Sequence, residues 1–143
     1  MTLLDANVLL YAYDDKVAHH KSVRRWLENL LSGRESVGLP WLSAWAFIRI
    51  STNPRLSDHP LSTEDALAIV DELRSNQLVT MINPGRRHHE LLSSQMHKTR
   101  IRGVETTDAV LAALAIENGA RLASTDEGFR RFRDLEWVNP IQA

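Results

Sequence analysis

The chain has 143 residues, of which 43% are hydrophobic and 24% charged, a composition close to that of an ordinary globular protein. Because 17 basic and 18 acidic residues give a formal net charge of −1, net charge cannot draw the chain to nucleic acid, and any such attraction must be local. The absence of cysteine excludes disulfides, thiolate metal ligands and thiol nucleophiles. We expect a single domain over residues 1–143, and the lack of a signal-peptide pattern or long apolar stretch predicts a cytoplasmic protein without membrane contact.

Apolar runs of strand length alternate with stretches of helical periodicity along the chain. In chain order, we predict a strand at 3–4, a helix at 7–12, a helix at 20–31, a strand at 36–39, a helix at 41–51, a helix at 62–73, a strand at 78–82, helices at 88–99 and 108–118, and strands at 121–124 and 136–138. Strands separated by helices are typical of the α/β class. We therefore predict three layers, with a central, mainly parallel sheet and helices on both faces.

Two of the predicted helices have characteristic first turns. Ser62 followed by Asp65 resembles a capping box, in which the serine side chain satisfies a free backbone N–H. Thr106 or Thr107 is predicted to cap the helix that contains Asp108. Since that helix is rich in Ala, Leu, Ile and Val, we expect it to be central in the fold.

The helix at 41–51 is apolar on almost every side, which is typical of a helix that is buried or faces a partner. Its Trp41, Trp45 and Phe47, together with Trp26, are expected mainly in the core. A domain of this size buries only a limited number of large rings, so some of them could mark contacts with other chains.

Three aspartates occupy positions that a parallel sheet would bring together. Asp5 and Asp126 follow predicted strands, and Asp108 lies in the first turn of a helix that should pack on the sheet. Parallel sheets bind ligands beyond the carboxyl ends of their strands, so all three can reach one crevice. Each aspartate also has a purely structural explanation. Asp5 could cap a helix, Asp108 could stabilise a helix N-terminus through the helix dipole, and Asp126 could form a turn.

Clustered carboxylates raise one another's pKa, and a bound divalent cation removes that cost. Mg²⁺ and Mn²⁺ prefer oxygen ligands, and Mg²⁺ usually takes one or two carboxylates, several waters and a substrate phosphate. A site of this composition suits the hydrolysis of phosphodiesters. An aspartyl phosphatase is disfavoured, because it needs a second aspartate two residues after Asp5 as a general acid, and that position is Asn7.

Three segments of this chain resemble the PIN-domain ribonucleases, in particular the VapC-type toxins of bacterial toxin–antitoxin systems. They are LLDANVL at 3–9, TDAVLAALA at 107–115 and LASTDEGF at 122–129. The resemblance spans nearly the whole chain and implies a PIN-like α/β domain that cuts RNA with Mg²⁺ or Mn²⁺. It further implies a homodimer that a small antitoxin holds inactive.

The same resemblance implies roles for individual residues. It identifies Asp5, Asp108 and Asp126 as the catalytic, metal-binding acids. Asn7 and Ser124 match polar positions that hold these carboxylates in place.

One position departs from the family pattern, which usually has a glutamate three residues before the arginine of the third helix. Here that position is Ala46, so one expected carboxylate is absent. Glu105, one helical turn before Asp108, or Glu127, adjacent to Asp126, could compensate, although both could also be ordinary surface acids. The absent glutamate also leaves open a catalytically silent, PIN-like binding module.

Basic residues lie before and after the acidic motifs and could flank the cleft as phosphate contacts, although solvated helix faces are the plain alternative. They are Arg86, Arg87, Lys98, Arg100, Arg102, Arg130, Arg131 and Arg133. A zinc site is disfavoured. The histidine pairs at 19–20 and 88–89 are adjacent in sequence, whereas metal ligands on a helix need a spacing of three or four.

Overall fold

The computed structural model describes residues 1–143. Its strands are β1 (Thr2–Leu4), β2 (Val37–Pro40), β3 (Val79–Ile82), β4 (Arg121–Ala123) and β5 (Trp137–Val138). Its helices are α1 (Ala6–Ala12), α2 (His20–Leu31), α3 (Trp41–Ser51), α4 (Thr63–Ser75), α5 (His88–Thr99) and α6 (Thr106–Glu117), with short 3-10 helices at Gly103–Glu105 and Glu127–Arg131. Every predicted element is present, with ends shifted by a few residues at most. No helix has the length and apolar character needed to cross a membrane.

The five strands form one sheet in the order β3-β2-β1-β4-β5, and every neighbouring pair is parallel. The chain therefore begins at the centre of the sheet, builds outward through β2 and β3, and then returns to the other side of β1. The strand order reverses between β1 and β4. In open parallel sheets, this reversal opens a crevice at the carboxyl ends of the two strands, where ligands bind.

Two hydrophobic cores lie on opposite faces of the sheet. Since side chains alternate along a strand, Leu4 packs with the helices α1 to α4 while Leu3 packs with α5 and α6. Close packing on the second face explains a glycine in β2, because a Cβ atom at Gly38 would lie 2.8 Å from Leu3 Cδ1. The predicted three-layer α/β architecture is confirmed.

The start of α6 differs from its prediction. The helix begins at Thr106 with Glu105 at its N-cap, and neither Thr106 nor Thr107 caps it through a side chain. A 3-10 helix precedes α6 and starts at Gly103, which has a φ of 68°. Because Glu105 at the end of this 3-10 helix already has a helical backbone conformation, no threonine cap forms. Asp108 nevertheless lies in the first turn, as predicted.

Other local predictions had mixed outcomes. The Ser62 cap is confirmed, since its hydroxyl accepts a hydrogen bond from the Asp65 N–H at 3.1 Å. Phe47 is buried, but the prediction that the tryptophans lie mainly in the core is wrong for Trp45, which is 62% exposed and stacks on Trp41. The hydrophobic row of α3 therefore continues from the core onto the surface.

Candidate metal centre

The predicted acids lie at the point where the strand order reverses. Asp5 directly follows β1, and its N–H donates to Ala123 O at 3.0 Å, so the ends of β1 and β4 are joined there. Ser124 and Asp126 follow β4, and Asp108 enters from the first turn of α6. The structure thus brings residues that are more than 100 positions apart in the chain to one edge of the sheet.

The Asp5 carboxylate is fixed by three hydrogen bonds. Its Oδ1 accepts from the Ala6 N–H at 2.7 Å. Its Oδ2 accepts from the Ser124 hydroxyl at 2.8 Å and from the Asn7 amide at 3.2 Å. A carboxylate has about four lone-pair positions, so these contacts leave about one of them for a further ligand.

Asn7 and Ser124 connect the loop after β1 to the loop after β4. The Asn7 Nδ2 donates to Ser124 Oγ at 2.9 Å, and its Oδ1 accepts from the Thr125 N–H at 3.1 Å. The fully buried Ser124 Oγ also accepts from the Asp126 N–H at 3.1 Å. Both side chains therefore hold Asp5 and Asp126 in a defined relation, while their role in positioning metal ligands stays a prediction.

Asp108 is paired with an arginine. Arg131 Nη2 donates to Asp108 Oδ2 at 2.8 Å, and its Nη1 lies 3.3 Å from Glu105 Oε2. With the side chains in these positions, no three acidic or histidine residues are close enough together to hold a metal ion. The Arg131 guanidinium is thus the cation that Asp108 contacts. Sequence reasoning missed this pair, because a separation of 23 residues matches no local spacing rule.

The three aspartates nevertheless interact electrostatically. Burial raises the pKa of the Asp5 carboxyl to about 6, hydrogen bonds oppose this shift, and the charges of Asp108 and Asp126 add to it. Burial also raises the pKa of Asp108, to which the charges of Asp126 and Glu105 contribute while that of Arg131 acts in the opposite direction. A divalent cation would relieve this repulsion.

The donor set fits Mg²⁺ or Mn²⁺. All three candidate ligands are carboxylates, and Mg²⁺ requires only one or two of these besides water and phosphate. Of the possible compensating acids, Glu105 contacts Arg131, and Glu127 contacts Arg130 Nε at 2.9 Å. Ala46 is half-buried in α3 and offers no ligand atom. The assignment of the three aspartates as metal ligands stays a prediction.

The raised pKa of Asp5 predicts how the stability of the metal-free protein depends on pH. Since the pKa of about 6 in the fold exceeds the ordinary 3.8, the native state binds a proton more tightly than the unfolded chain. Stability therefore rises as pH falls from 7.5 to 5, and Asp5 contributes about 1.4 kcal/mol to this rise, because pH 5 lies only about one unit below its pKa in the fold. Urea denaturation in the presence of a chelator measures the effect.

The Asp5→Asn variant should show a smaller rise over the same pH range. The matched control is Asp71→Asn, which changes an aspartate that is 76% exposed, and it should behave as the wild type. Lower stability of the wild type at pH 5 than at pH 7.5 would contradict the burial of an ionised Asp5.

The chain is similar to known proteins over nearly its whole length. The sequence profile of the PIN domain matches residues 2–135. The chain is 37% identical over 140 residues to the ribonuclease VapC37 of Mycobacterium tuberculosis, covering 98% of this chain and 97% of that protein.

Solved structures show the same fold at lower sequence identity. VapBC2 from Rickettsia felis, bound to a DNA fragment from its promoter, matches with a TM-score of 0.70 at 16% identity, over 96% of this chain and 97% of that one. A toxin–antitoxin complex from Klebsiella pneumoniae matches with a TM-score of 0.66 at 13% identity, covering 98% of each chain. The profile match over nearly the whole length, with the relationship to VapC37, shows that this chain belongs to the PIN domain family and, within it, to the VapC group.

Proposed function

We propose that this protein is an endoribonuclease that hydrolyses RNA phosphodiesters at Asp5, Asp108 and Asp126 with the help of Mg²⁺ or Mn²⁺. The observation that carries the proposal is the set of interacting aspartates at the strand reversal, in a chain that is 37% identical to a ribonuclease. The single domain predicted for residues 1–143 would contain the complete site.

In this reaction, water attacks phosphorus, the bond to the leaving oxygen breaks, and that oxygen gains a proton. A bound divalent cation would supply charge stabilisation on the phosphate and activation of the attacking water. Asp5, oriented by Ser124 and Asn7, would hold this cation. Asp108 and Asp126 supply the negative charge that draws the cation to the crevice.

The silent binding module is the less favoured alternative. It is supported by Ala46, which replaces the usual glutamate of the family. Against it stands the network around Asp5, in which hydrogen bonds fix a carboxylate whose pKa is raised by burial. Such a costly arrangement is typical of functional sites, where perturbed pKa values cluster.

We further propose that the protein is the toxin of a toxin–antitoxin pair, works as a homodimer and is inhibited by a small antitoxin. The similar fold of the Klebsiella pneumoniae complex supports an antitoxin partner. Trp45 is 62% exposed beside Trp41, which supports a protein contact on α3, because such rings are enriched at interfaces.

The decisive experiment incubates the purified protein with labelled single-stranded RNA in Mg²⁺, in Mn²⁺ and with a chelator. We expect internal cleavage with at least one metal and none with the chelator. Absence of cleavage with either metal, or undiminished cleavage with the chelator, would refute a metal-dependent ribonuclease. A parallel preparation of the Asp5→Asn variant controls for contaminating host nucleases.

A further inference from the structure

A polar groove lies beside the acidic site, between the C-terminal end of α5 and the segment that contains the second 3-10 helix. It encloses about 660 Å³, and no hydrophobic residue lines it. The lining residues are Gln95, Lys98, Thr99, Arg130, Arg131, Arg133 and Asp134. Protein interfaces usually have an apolar centre, so this lining favours a polyanion over a protein partner.

The groove concentrates positive charge in a chain that has little net charge. Its lining contains four cations and one carboxylate, a formal charge of +3, whereas the whole chain has a charge of −1. Lys98 comes from α5 and the arginines come from the segment after β4, so the fold assembles this charge from separate parts of the sequence. Local attraction of this kind is what a nearly neutral protein needs in order to bind nucleic acid.

A buried amide and a shared carboxylate form the base of the groove. Gln95 is only 2% exposed, and its Nε2 donates to Asp134 Oδ2 at 2.9 Å. Lys98 Nζ donates to the same oxygen at 2.6 Å, yet the lysine side chain remains 60% exposed. Asp134 thereby holds Lys98 in place while leaving its ammonium group within reach of a ligand.

The arginines extend the groove to the acidic site. Arg130 is 66% exposed although it pairs with Glu127, and Arg133 forms no ion pair. Arg131 lines the groove and donates to Asp108 at 2.8 Å, so the groove ends at a candidate metal ligand. Arg131 Nε is buried without a hydrogen-bond partner, which leaves this guanidinium only partly satisfied.

We propose that this groove binds backbone phosphates of the RNA on one side of the cleaved bond. Lys98, Arg130 and Arg133 contact these phosphates, and Arg131 lies between them and the acidic site as a positioning residue. The inference rests on the proposed ribonuclease activity and adds the surface that holds the substrate. Because phosphates are the same at every nucleotide, the groove supplies affinity and register without sequence preference.

Another arginine pair of the chain, Arg86 and Arg87, offers a matched control. Backbone N–H groups of Gly85 and Arg87 donate to the Glu117 carboxylate, which places Arg86 and Arg87 at the C-terminal end of α6. Asp108 lies nine residues earlier in that helix, roughly 13 Å away at 1.5 Å per residue. Arg86 and Arg87 are exposed and do not line the groove.

The test measures binding of a fluorescein-labelled single-stranded RNA by anisotropy over a range of salt concentrations, in the Asp5→Asn background to prevent cleavage. Adding Lys98→Gln and Arg133→Gln should weaken binding on the order of tenfold. The salt slope should fall by about 0.7 for each lost phosphate contact. Arg133→Gln alone breaks no ion pair and should lower the salt slope by about 0.7. The control that combines Arg86→Gln with Arg87→Gln should leave both the affinity and the salt slope unchanged.

Two outcomes would overturn the groove assignment: unchanged affinity and salt slope in the Lys98 and Arg133 variants, or an equal loss in the Arg86 and Arg87 control. Steady-state cleavage by otherwise wild-type protein separates this inference from the proposed function. Groove variants should raise KM with little change in kcat. If the wild type cleaves no RNA, the proposed function fails, while the binding comparison still decides the groove.

Discussion

Replacement of Asp5 by asparagine is expected to lower RNA cleavage by about three orders of magnitude. The charge stabilisation that a catalytic cation provides is worth several kcal/mol, and each 1.36 kcal/mol corresponds to a factor of ten in rate. Asparagine keeps the shape of the side chain and can still accept from the Ala6 N–H, but it carries no charge for the cation. Single-turnover cleavage of labelled RNA in Mg²⁺ measures the rate.

The matched control for this variant is Asp71→Asn, which makes the same chemical change at an exposed ion pair on α4. It should retain the wild-type rate, and circular dichroism should show that both variants are folded. In a bacterial host, expression of the wild type should arrest growth whereas Asp5→Asn should not. A cleavage rate within threefold of the wild type in Asp5→Asn would remove Asp5 from the mechanism.

The parts of the site that sequence reasoning predicted share a physical basis. Asp5 and Asp126 follow short apolar runs, and parallel strands bring their carboxyl ends to one edge, so strand periodicity predicts that these side chains lie together. The positioning roles of Asn7 and Ser124 were predicted only through the resemblance to the PIN-domain family, because no periodicity in the sequence marks them.

The parts that sequence reasoning missed are contacts between side chains that lie far apart in the sequence. The pair of Arg131 with Asp108 forms because the second 3-10 helix packs beside the start of α6, and no periodicity encodes that approach. The charge of Lys98 likewise joins that of Arg133 only through packing of α5 beside the segment after β4. Sequence could predict basic residues near the site but not which of them share a groove.

The Arg131 pair also offsets part of the repulsion among the clustered acids. Asp108 has a raised pKa because of burial and neighbouring charge, and the Arg131 guanidinium opposes that shift. Arg131 therefore neutralises part of the charge that a divalent cation would otherwise neutralise. Since Arg131 also lines the groove, the groove and the acidic site share this guanidinium.

Replacement of Phe129 by alanine is expected to cause the largest loss of stability at this site. Phe129 is 1% exposed, packs with the core of α5 and α6, and lies 5.8 Å from the Phe132 ring. Truncation of a buried phenylalanine costs about 3–5 kcal/mol, because apolar contacts are lost and a cavity remains. For a domain of this size, Tm should fall by roughly 10 °C, measured by calorimetry.

The position of Phe129 connects this loss of stability to the site. It lies in the 3-10 helix that follows Asp126 and carries Arg130 and Arg131, and its N–H donates to Asp126 O at 3.3 Å. Phe129→Leu, which keeps most of the buried volume, should cost less than Phe129→Ala. Leu67→Ala, on an exposed face of α4, should change stability by only about 0.5 kcal/mol. A cost below about 1 kcal/mol for Phe129→Ala would mean that the core does not anchor this helix, and that the positions of Asp126 and Arg131 depend on their polar contacts alone.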